Sequence, residues 1–128
     1  MKKLSLKGLH KRAWDIQSKY IRKEANGFCY TCNIWHSIET CDAGHGEHGN
    51  SLDFDFHNGI WTKPRWIQCQ CKGCNRYRHG NLTPFHARLV KEYGPEILDT
   101  MLEQKHKIKK WKREELEQII KEYKDLEL

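Results

Sequence analysis

The 128-residue sequence lacks long hydrophobic runs and carries little apolar material for a core. Hydrophobic residues make up 38% of the chain and charged residues 31%, and the mean hydropathy is -0.90. No segment approaches the roughly 20 consecutive apolar residues that cross a membrane, so we expect no membrane partner. A chain of this size forms one domain, and so thin a core favours an internal cross-link. We therefore predict a single domain over residues 1–128 that is stabilised by an internal cross-link.

The N-terminus lacks the apolar stretch that a secretory signal peptide requires. The basic residues Lys2 and Lys3 follow Met1, but no hydrophobic run comes after them. This absence predicts a cytoplasmic protein. Because a reducing cytoplasm disfavours disulfides, the six cysteines of the chain are interpreted as metal ligands before disulfide partners.

Two segments of the chain lack charge of one sign. Residues 56–91 contain no Asp or Glu but seven Lys and Arg residues, which is more than the net charge of +6. Residues 39–55 show the reverse, with five acidic residues and no Lys or Arg. An acidic pocket beside a basic surface would suit a cation held next to a phosphate backbone. Such charge runs are equally typical of a solvated surface, so both interpretations stay open.

The spacing of the cysteines supports metal binding. Two Cys-x-x-Cys pairs, separated by a segment long enough for a hairpin, place four thiolates on two tight turns, which suits the tetrahedral shell of Zn²⁺. Structural zinc can stabilise a fold by roughly 10–16 kcal/mol, which would compensate for the thin core. Cys41 remains unassigned, and Cys69 could compete as a ligand but on a strand is more simply a buried thiol. The predicted zinc ligands are Cys29, Cys32, Cys71 and Cys74.

Hydrophobic periodicity predicts the elements around the first cysteine pair. Apolar residues at helical spacing predict a first helix over residues 9–25, which Gly27 would end. The β-favouring residues 34–39 lead into one arm of a hairpin, and Trp66-Ile67-Gln68-Cys69 is the returning strand. The stretch 44–59 is rich in Gly, Asn, Asp and His and is predicted as a loop, with a short strand around residues 52–56.

The second half of the chain is predicted to be helical. The tail of the second cysteine pair opens a helix, and Thr83-Pro84 indicates the N-cap and first turn of the next one, which Gly94-Pro95 ends. Residues 105–113 hold six basic residues and form either a linker or an edge that touches DNA. Three apolar helix faces are expected, at Leu82, Phe85, Leu89 and Tyr93, at Ile97, Leu98, Met101 and Leu102, and at Leu116, Ile119, Ile120 and Tyr123.

The order of these motifs resembles that of a known family. The linked series of cysteine pair, Asp-Ala-Gly-His, cysteine pair, Asn and Gly-Asn is similar to the NinG (Rap) recombination proteins of phages, a branch of the HNH and endonuclease VII group. The likeness covers most of the chain. The matching stretches are Tyr20-Ile21-Arg22, Asp42-Ala43-Gly44-His45, Gln70-Cys71 with Cys74-Asn75-Arg76, Gly80-Asn81, Leu89 through Gly94, and Glu114 through Tyr123.

The resemblance implies a fold and an activity. The fold is α+β, a treble-clef-like ββα-metal (HNH) zinc core over residues 27–94, flanked by the helix at 9–25 and by C-terminal helices at 95–128. The activity is that of a divalent-metal endonuclease that cuts branched recombination intermediates such as D-loops, Holliday junctions and flaps. If a phage encodes the chain, its compartment is the cytoplasm of the bacterial host.

The resemblance also implies catalytic residues. Phosphodiester hydrolysis needs a base that deprotonates water and a cation that neutralises the developing charge, and His45 is the candidate base. In endonuclease VII relatives a metal-binding Asn directly follows the fourth cysteine, and Asn75 matches it. Those relatives place a carboxylate directly before the histidine, whereas this chain has Gly44 there. Asp42 is the nearest acid, so Asp42 and Asn75 are the predicted ligands of a catalytic Mg²⁺ or Mn²⁺.

The expected partner is DNA, and a dimer or contacts with recombination or replication proteins are compatible with the sequence. The HNH pattern includes a central Asn that braces the loop. Near that place this chain has Trp66 instead of an Asn. Asn58 is the candidate for the bracing role of that Asn. The predicted DNA-binding residues are Arg65, Lys72, Arg76, Arg78 and Asn81.

Two other classes of function fit the same sequence. A zinc module with a basic face can bind nucleic acid without any catalysis, and Arg76, Arg78 and Trp66 would serve it equally well. A scaffold that joins other proteins through the C-terminal helix is the third class. The acidic, histidine-bearing segment favours the enzyme, because a pure binding module has no evident need for it.

Overall fold

The computed structural model describes residues 4–45, 56–57, 60–61, 67–105 and 111–125. These residues form an α+β structure with a small antiparallel sheet. The elements, in chain order, are α1 (Leu6–Glu24), a 3-10 turn (Ile38–Thr40), β1 (Cys41–His45), β2 (Phe56–His57), β3 (Ile60–Trp61), β4 (Ile67–Cys71), a π-helical segment (Gly73–Tyr77), α2 (Leu82–Tyr93), α3 (Glu96–Lys105) and α4 (Arg113–Asp125).

The helix predicted at residues 9–25 is confirmed as α1. It begins earlier, at Leu6, because the hydroxyl of Ser5 caps it and accepts a hydrogen bond from the backbone N–H of Gly8 at 3.0 Å. The first turn is exposed, so the apolar pattern gives no sign of it. Gly27 lies in the turn that follows the helix, at a left-handed φ of 78°. The inner face of α1 buries Leu9, Ala13, Gln17 and Ile21.

The main sheet consists of β1 and β4, which pair antiparallel with Cys41 opposite Cys71 and His45 opposite Ile67. The returning strand was predicted correctly, and it extends to Cys71. The predicted loop is wrong at its start, because Gly44 and His45 pair with β4 and complete β1. Glycine is depleted in strands, so the sequence pattern favoured a loop at this point.

A second, short antiparallel pair of strands lies between β1 and β4 in the sequence. β2 and β3 join Phe56 to Trp61 and His57 to Ile60. The strand predicted near residues 52–56 overlaps β2 at Phe56, and the rest of that prediction lies outside the described residues. After the second cysteine pair begins, the chain turns into the π-helical segment, in agreement with the predicted helix opening there.

The N-cap of α2 differs from the prediction. Asn81, at a left-handed φ of 47°, occupies the cap position, and the helix begins at Leu82 instead of after Thr83. Pro84 still falls in the first turn, where its missing N–H costs no hydrogen bond. The proline pattern therefore located the first turn correctly and placed the cap too late.

Three small apolar clusters and the cysteine group make up the core. α1 packs on α4 through one cluster and on the β1–β4 sheet through a second, while α2 and α3 form a third around Tyr30. The predicted face of α4 is entirely buried. On α2 and α3 the predicted faces are buried only in part, because Tyr93 and Leu102 are exposed. No helix in the described part of the chain is long and apolar enough to cross a membrane.

Candidate active site and metal centre

The two Cys-x-x-Cys pairs bring four thiols together, with all Sγ atoms within 4.8 Å of one another. In the first pair the chain turns because the backbone N–H of Asn33 donates to the carbonyl of Cys29 at 2.9 Å. The backbone N–H of Tyr30 donates to the carbonyl of Cys69 at 2.8 Å, which joins this turn to β4. The second pair begins at the end of β4. Four converging thiols of which three are buried could hold a metal ion such as zinc.

Burial and local hydrogen bonds set the acidity of these thiols. Burial alone would raise the pKa of Cys29, but hydrogen bonds from the Thr31 hydroxyl and from backbone amides lower that pKa to about 6. Burial, together with the negative charge of the neighbouring thiols, raises the pKa of Cys71 to about 12. Without a cation the cluster therefore cannot ionise fully near neutral pH. A bound metal would supply the missing positive charge.

Two predicted DNA-binding residues lie against this cysteine cluster. Asn81 Nδ2 approaches Cys74 Sγ at 3.6 Å, and Arg78 Nη1 approaches it at 3.9 Å. Donors of this kind stabilise a metal-bound thiolate, and the guanidinium offsets the negative charge of a four-thiolate site. Binding of DNA by Arg78 and Asn81 stays a prediction.

The remaining two cysteines are buried away from the cluster. Cys41 and Cys69 pack with Ile21 and Ala43 beneath α1, and the Cys41 thiol lies 3.6 Å from the carbonyl of Gly27. Burial raises the pKa of Cys69 to about 12. The interpretation of Cys69 as a buried thiol is confirmed, because its side chain belongs to the apolar core.

A cleft of about 480 Å³ lies beside β1. Five residues singled out by the sequence line it together, although they come from two separate segments of the chain. These are Asp42, His45, Lys72, Asn75 and Arg76. Sequence reasoning missed the contribution of α1 and of the 3-10 turn, since nothing in a helical pattern shows which surface a helix offers to a cleft. The missed lining residues are Trp14, Ser18, Arg22 and Glu39.

Asp42 is the centre of a hydrogen-bond network in the cleft. Its Oδ2 accepts from Asn75 Nδ2 at 3.1 Å and from Arg76 Nε at 2.9 Å, and its Oδ1 accepts from Arg76 Nη2 at 3.1 Å. This two-pronged contact raises the pKa of Arg76. A cation that binds Asp42 must therefore compete with the guanidinium. The network also directs the Asn75 amide nitrogen to Asp42, which leaves the amide oxygen pointing elsewhere.

His45 reaches the cleft from the other side of β1. Side chains alternate along a strand, and Cys41 and Ala43 pack towards α1 while Asp42 contacts the π-helical segment. His45 shares the α1 side, where its ring stacks on Trp14 with centroids 5.2 Å apart and an interplanar angle of 21°. The predicted base and the predicted ligands therefore flank β1 and face the same cleft from two directions.

Gln70 is a further residue of the site that sequence reasoning did not assign. Its side chain is fully buried, and its Nε2 donates to the carbonyl of Gly80 at 2.7 Å and to the Thr31 hydroxyl at 3.1 Å. The Gly80 contact fixes the amide orientation, because a flipped amide would place two oxygens together. Gln70 Oε1 has no hydrogen-bond partner in the described structure.

Gly44, directly before His45, leaves the space that Gln70 occupies. A Cβ on Gly44 would lie 1.7 Å from Gln70 Oε1 and 2.9 Å from Asn75 Oδ1, so a side chain at position 44 would require both amide groups to shift. The two amide oxygens thus converge beside Gly44. Carboxylate and amide oxygens are ligands that hard cations prefer, so Asp42 and Asn75 are the residues of the cleft whose chemistry fits a Mg²⁺ or Mn²⁺ ion. The predictions for Arg65, Trp66 and Asn58 lie outside the described residues.

Comparison with known proteins gives one family. The model of the family described as bacteriophage lambda NinG protein matches residues 1–127. The chain is 31% identical over 117 residues to protein ninG of Salmonella phage P22, a match that covers 88% of this chain and 53% of that protein. It is 30% identical to protein ninG of Escherichia phage lambda, with coverage of 88% and 52%. The chain thus spans about half the length of the curated relatives that it matches. No solved structure matches the chain.

Proposed function

This chain belongs to the NinG family of bacteriophage lambda-like proteins, and from that premise we propose that it is a divalent-metal-dependent DNA endonuclease of the HNH type. The observation that carries the proposal is the cleft beside β1, which His45, Asp42 and Asn75 line together. An imidazole, a carboxylate and an amide oxygen within one cleft are the groups that metal-assisted phosphodiester hydrolysis requires. Branched DNA is the proposed substrate.

The proposal extends to the fold of the site. β1 and β4 would be the two strands of an HNH core, and the segment that begins at Cys71 would be its metal-bearing helix. The four-cysteine cluster would hold a structural zinc ion, which fixes the end of β4 and therefore the position of Asn75. Zinc at this place would have no catalytic task, since all four of its ligands come from the protein.

We assign the general base to His45. Stacking on Trp14 restricts the imidazole to one ring plane, so that a ring nitrogen can accept a proton from water in the cleft. Lys72 is exposed and lines the same cleft, and it would contact the phosphate beside the scissile bond. The guanidinium of Arg22 is held by the carbonyls of Ser18 and Ile38, and it adds a fixed positive charge to the wall of the cleft.

Asp42 and Asn75 would hold the catalytic Mg²⁺ or Mn²⁺. Bound there, the cation would neutralise the charge that develops on the phosphate and its leaving oxygen. Gln70 is fully buried and does not line the cleft, so we assign it no ligand role.

Cleavage of branched DNA tests the proposal. Purified protein would be incubated with flaps, D-loops, Holliday junctions and plain duplex, with and without Mg²⁺ or Mn²⁺. We expect cleavage of a branched substrate with metal. His45→Ala should lower the single-turnover rate by about 10²–10⁴-fold, the usual contribution of a general base, while binding of the branch stays unchanged.

A matched variant controls for the loss of any histidine. His86→Ala removes an imidazole from α2, which does not line the cleft, and it should cut at the wild-type rate. If His45→Ala cut as fast as His86→Ala, His45 would not be the base. If the wild type cut no substrate with any divalent metal, the endonuclease proposal would fail.

One observation favours a second function, that of a nucleic-acid-binding module without catalysis. Both oxygens of Asp42 are already paired with Arg76, so the carboxylate is neutralised by the protein itself. A binding module would keep this pair as a structural contact and would use Lys72 and the surrounding cations for phosphate. It predicts that branched DNA binds with no dependence on divalent metal and is not cut.

A further inference from the structure

One face of α1 carries cations at both ends and an aromatic ring between them. Its residues follow one another at intervals of four, three, four and four positions, which is the spacing of a single stripe along a helix. At a rise of 1.5 Å per residue, the stripe is about 22 Å long. We call this face the α1 stripe, and it consists of Lys7, Lys11, Trp14, Ser18 and Arg22.

The α1 stripe runs through two adjoining hollows. Its second half, from Trp14 onwards, lines the cleft of His45. Its first half lines a separate open groove of about 700 Å³, which Trp111 and Leu116 close on the side of α4. Trp14 lines both hollows, so the groove and the cleft adjoin at this side chain. We call this second hollow the α1–α4 groove.

The α1–α4 groove is basic. Lys7, His10 and Lys11 line it, and none of the described residues in its wall is acidic. Lys11 pairs with Asp15 at 3.0 Å, but both side chains are more than half exposed, so the pair is weak and can yield to another anion. The charge of the groove therefore complements a polyanion.

The groove also offers aromatic surfaces. The rings of Trp14 and Trp111 belong to its wall, and Leu6, which is half exposed, adds aliphatic surface. Nucleobases stack on such rings when they are unpaired, because the faces of a paired base are covered by its neighbours in the duplex. A groove of lysines and tryptophans thus fits a single strand better than a duplex.

We propose that the α1 stripe and the α1–α4 groove bind an unpaired DNA strand and guide it to the cleft. Lys7 and Lys11 contact its phosphates, Trp111 stacks on its bases, and Arg22 meets the phosphate that enters the cleft. The inference rests on the proposed function in one respect, which is that the bound strand belongs to the branched substrate. It adds a contact surface on α1, which the basic segment at residues 56–91 does not include.

Binding measured without catalysis tests this surface. Fluorescence anisotropy in EDTA would use a labelled oligo-dT, a duplex with a single-stranded tail and a blunt duplex. Lys7→Ala/Lys11→Ala should weaken binding of both unpaired strands and lower the slope of log affinity against log salt by about 1.4, which is two contacts at 0.7 each. Trp111→Leu should weaken the same binding by about tenfold or more, and Trp111→Phe by less.

The matched control lies on the same helix. Arg12 and Lys19 are exposed on α1 but line neither hollow, so Arg12→Ala/Lys19→Ala removes equal charge from another face and should keep the wild-type affinity. Equal weakening by the two double variants, or equal losses on blunt duplex and oligo-dT, would overturn the proposal. The two proposals fail separately: a wild type that binds the strand through Lys7 and Lys11 but cuts nothing sinks the nuclease and leaves this surface standing.

Discussion

Arg76 holds both carboxylate oxygens of Asp42, and this contact decides what either residue can do next. While the pair is intact, Arg76 is less available to a phosphate and Asp42 is less available to a cation. The Arg76 side chain is 58% exposed and that of Asp42 is 17% exposed, so the guanidinium can leave more readily than the carboxylate. A divalent cation on Asp42 would release Arg76 towards DNA.

This exchange predicts that one variant, Arg76→Ala, gains affinity for a divalent cation and loses affinity for DNA. Arg76→Ala removes the competing cation, so we expect Mn²⁺ to bind roughly two- to fivefold more tightly, in line with a partly exposed ion pair. DNA binding should weaken, with a salt slope lower by about 0.9. Isothermal titration of the zinc-loaded protein with Mn²⁺ and anisotropy with duplex DNA measure the two effects.

Lys72→Ala is the control for this experiment. Lys72 lines the same cleft, but its amine makes no hydrogen bond to Asp42 in the described structure, so the variant should lose DNA affinity without the gain in Mn²⁺ affinity. A fall in Mn²⁺ affinity in Arg76→Ala would show that the guanidinium supports the cation site instead of competing for it.

At the scale of elements, the sequence predicted the helices well and the first strand poorly. Periodicity located α1, α2 and α4, since each buries an apolar face against one neighbour. It failed at β1, because Gly44 has no side chain to alternate. For the candidate site, the motifs predicted His45, Asp42 and Asn75, and all three line the cleft. They did not predict Trp14, because only the packing of α1 decides which of its side chains face the cleft.

A buried hydrogen bond joins the first and last of the described helices and makes a prediction for their packing. Gln17 of α1, which is fully buried, donates from Nε2 to the Tyr123 hydroxyl of α4 at 3.0 Å. Tyr123→Phe removes this acceptor from a buried amide, so the free energy of unfolding should fall by about 1–3 kcal/mol. Urea denaturation measures it. Tyr93→Phe, at an exposed position on α2, should change nothing, and an equal loss in both variants would contradict the assignment.

At the scale of the whole molecule, the described residues build several small apolar clusters in place of one large core. The cysteine cluster lies where the turn of the first Cys-x-x-Cys pair, β4 and the π-helical segment meet. The composition predicted the need for an internal cross-link, and the cysteine spacing predicted the group of four thiols that could provide one with a metal ion. The sequence could not show that Arg78 and Asn81 would point at the same cluster, because both look like ordinary polar residues of a basic stretch.

A zinc ion in the four-cysteine cluster would make the folding of the whole chain depend on metal. Purified protein should contain one Zn²⁺ per chain by elemental analysis, and Cys32→Ser should lose the metal and cooperative unfolding together, since structural zinc contributes roughly 10–16 kcal/mol. Cys69→Ala removes a buried thiol outside the cluster and should keep its zinc. Metal-free protein that still unfolded cooperatively, or zinc lost from Cys69→Ala, would refute the four-cysteine site.

The close approach of Gly44 and Gln70 restricts how this site can evolve. A Cβ at position 44 would collide with Gln70 Oε1, so a carboxylate can enter the position before His45 only if Gln70 moves or is replaced. A Gln70 side chain that rotates away gives up its contacts to Gly80 and Thr31, and a smaller residue at position 70 also leaves a cavity. Intermediates of either order are disfavoured. The two positions should therefore covary among homologues, with glycine paired to glutamine in one lineage and an acidic residue paired to a small one in another.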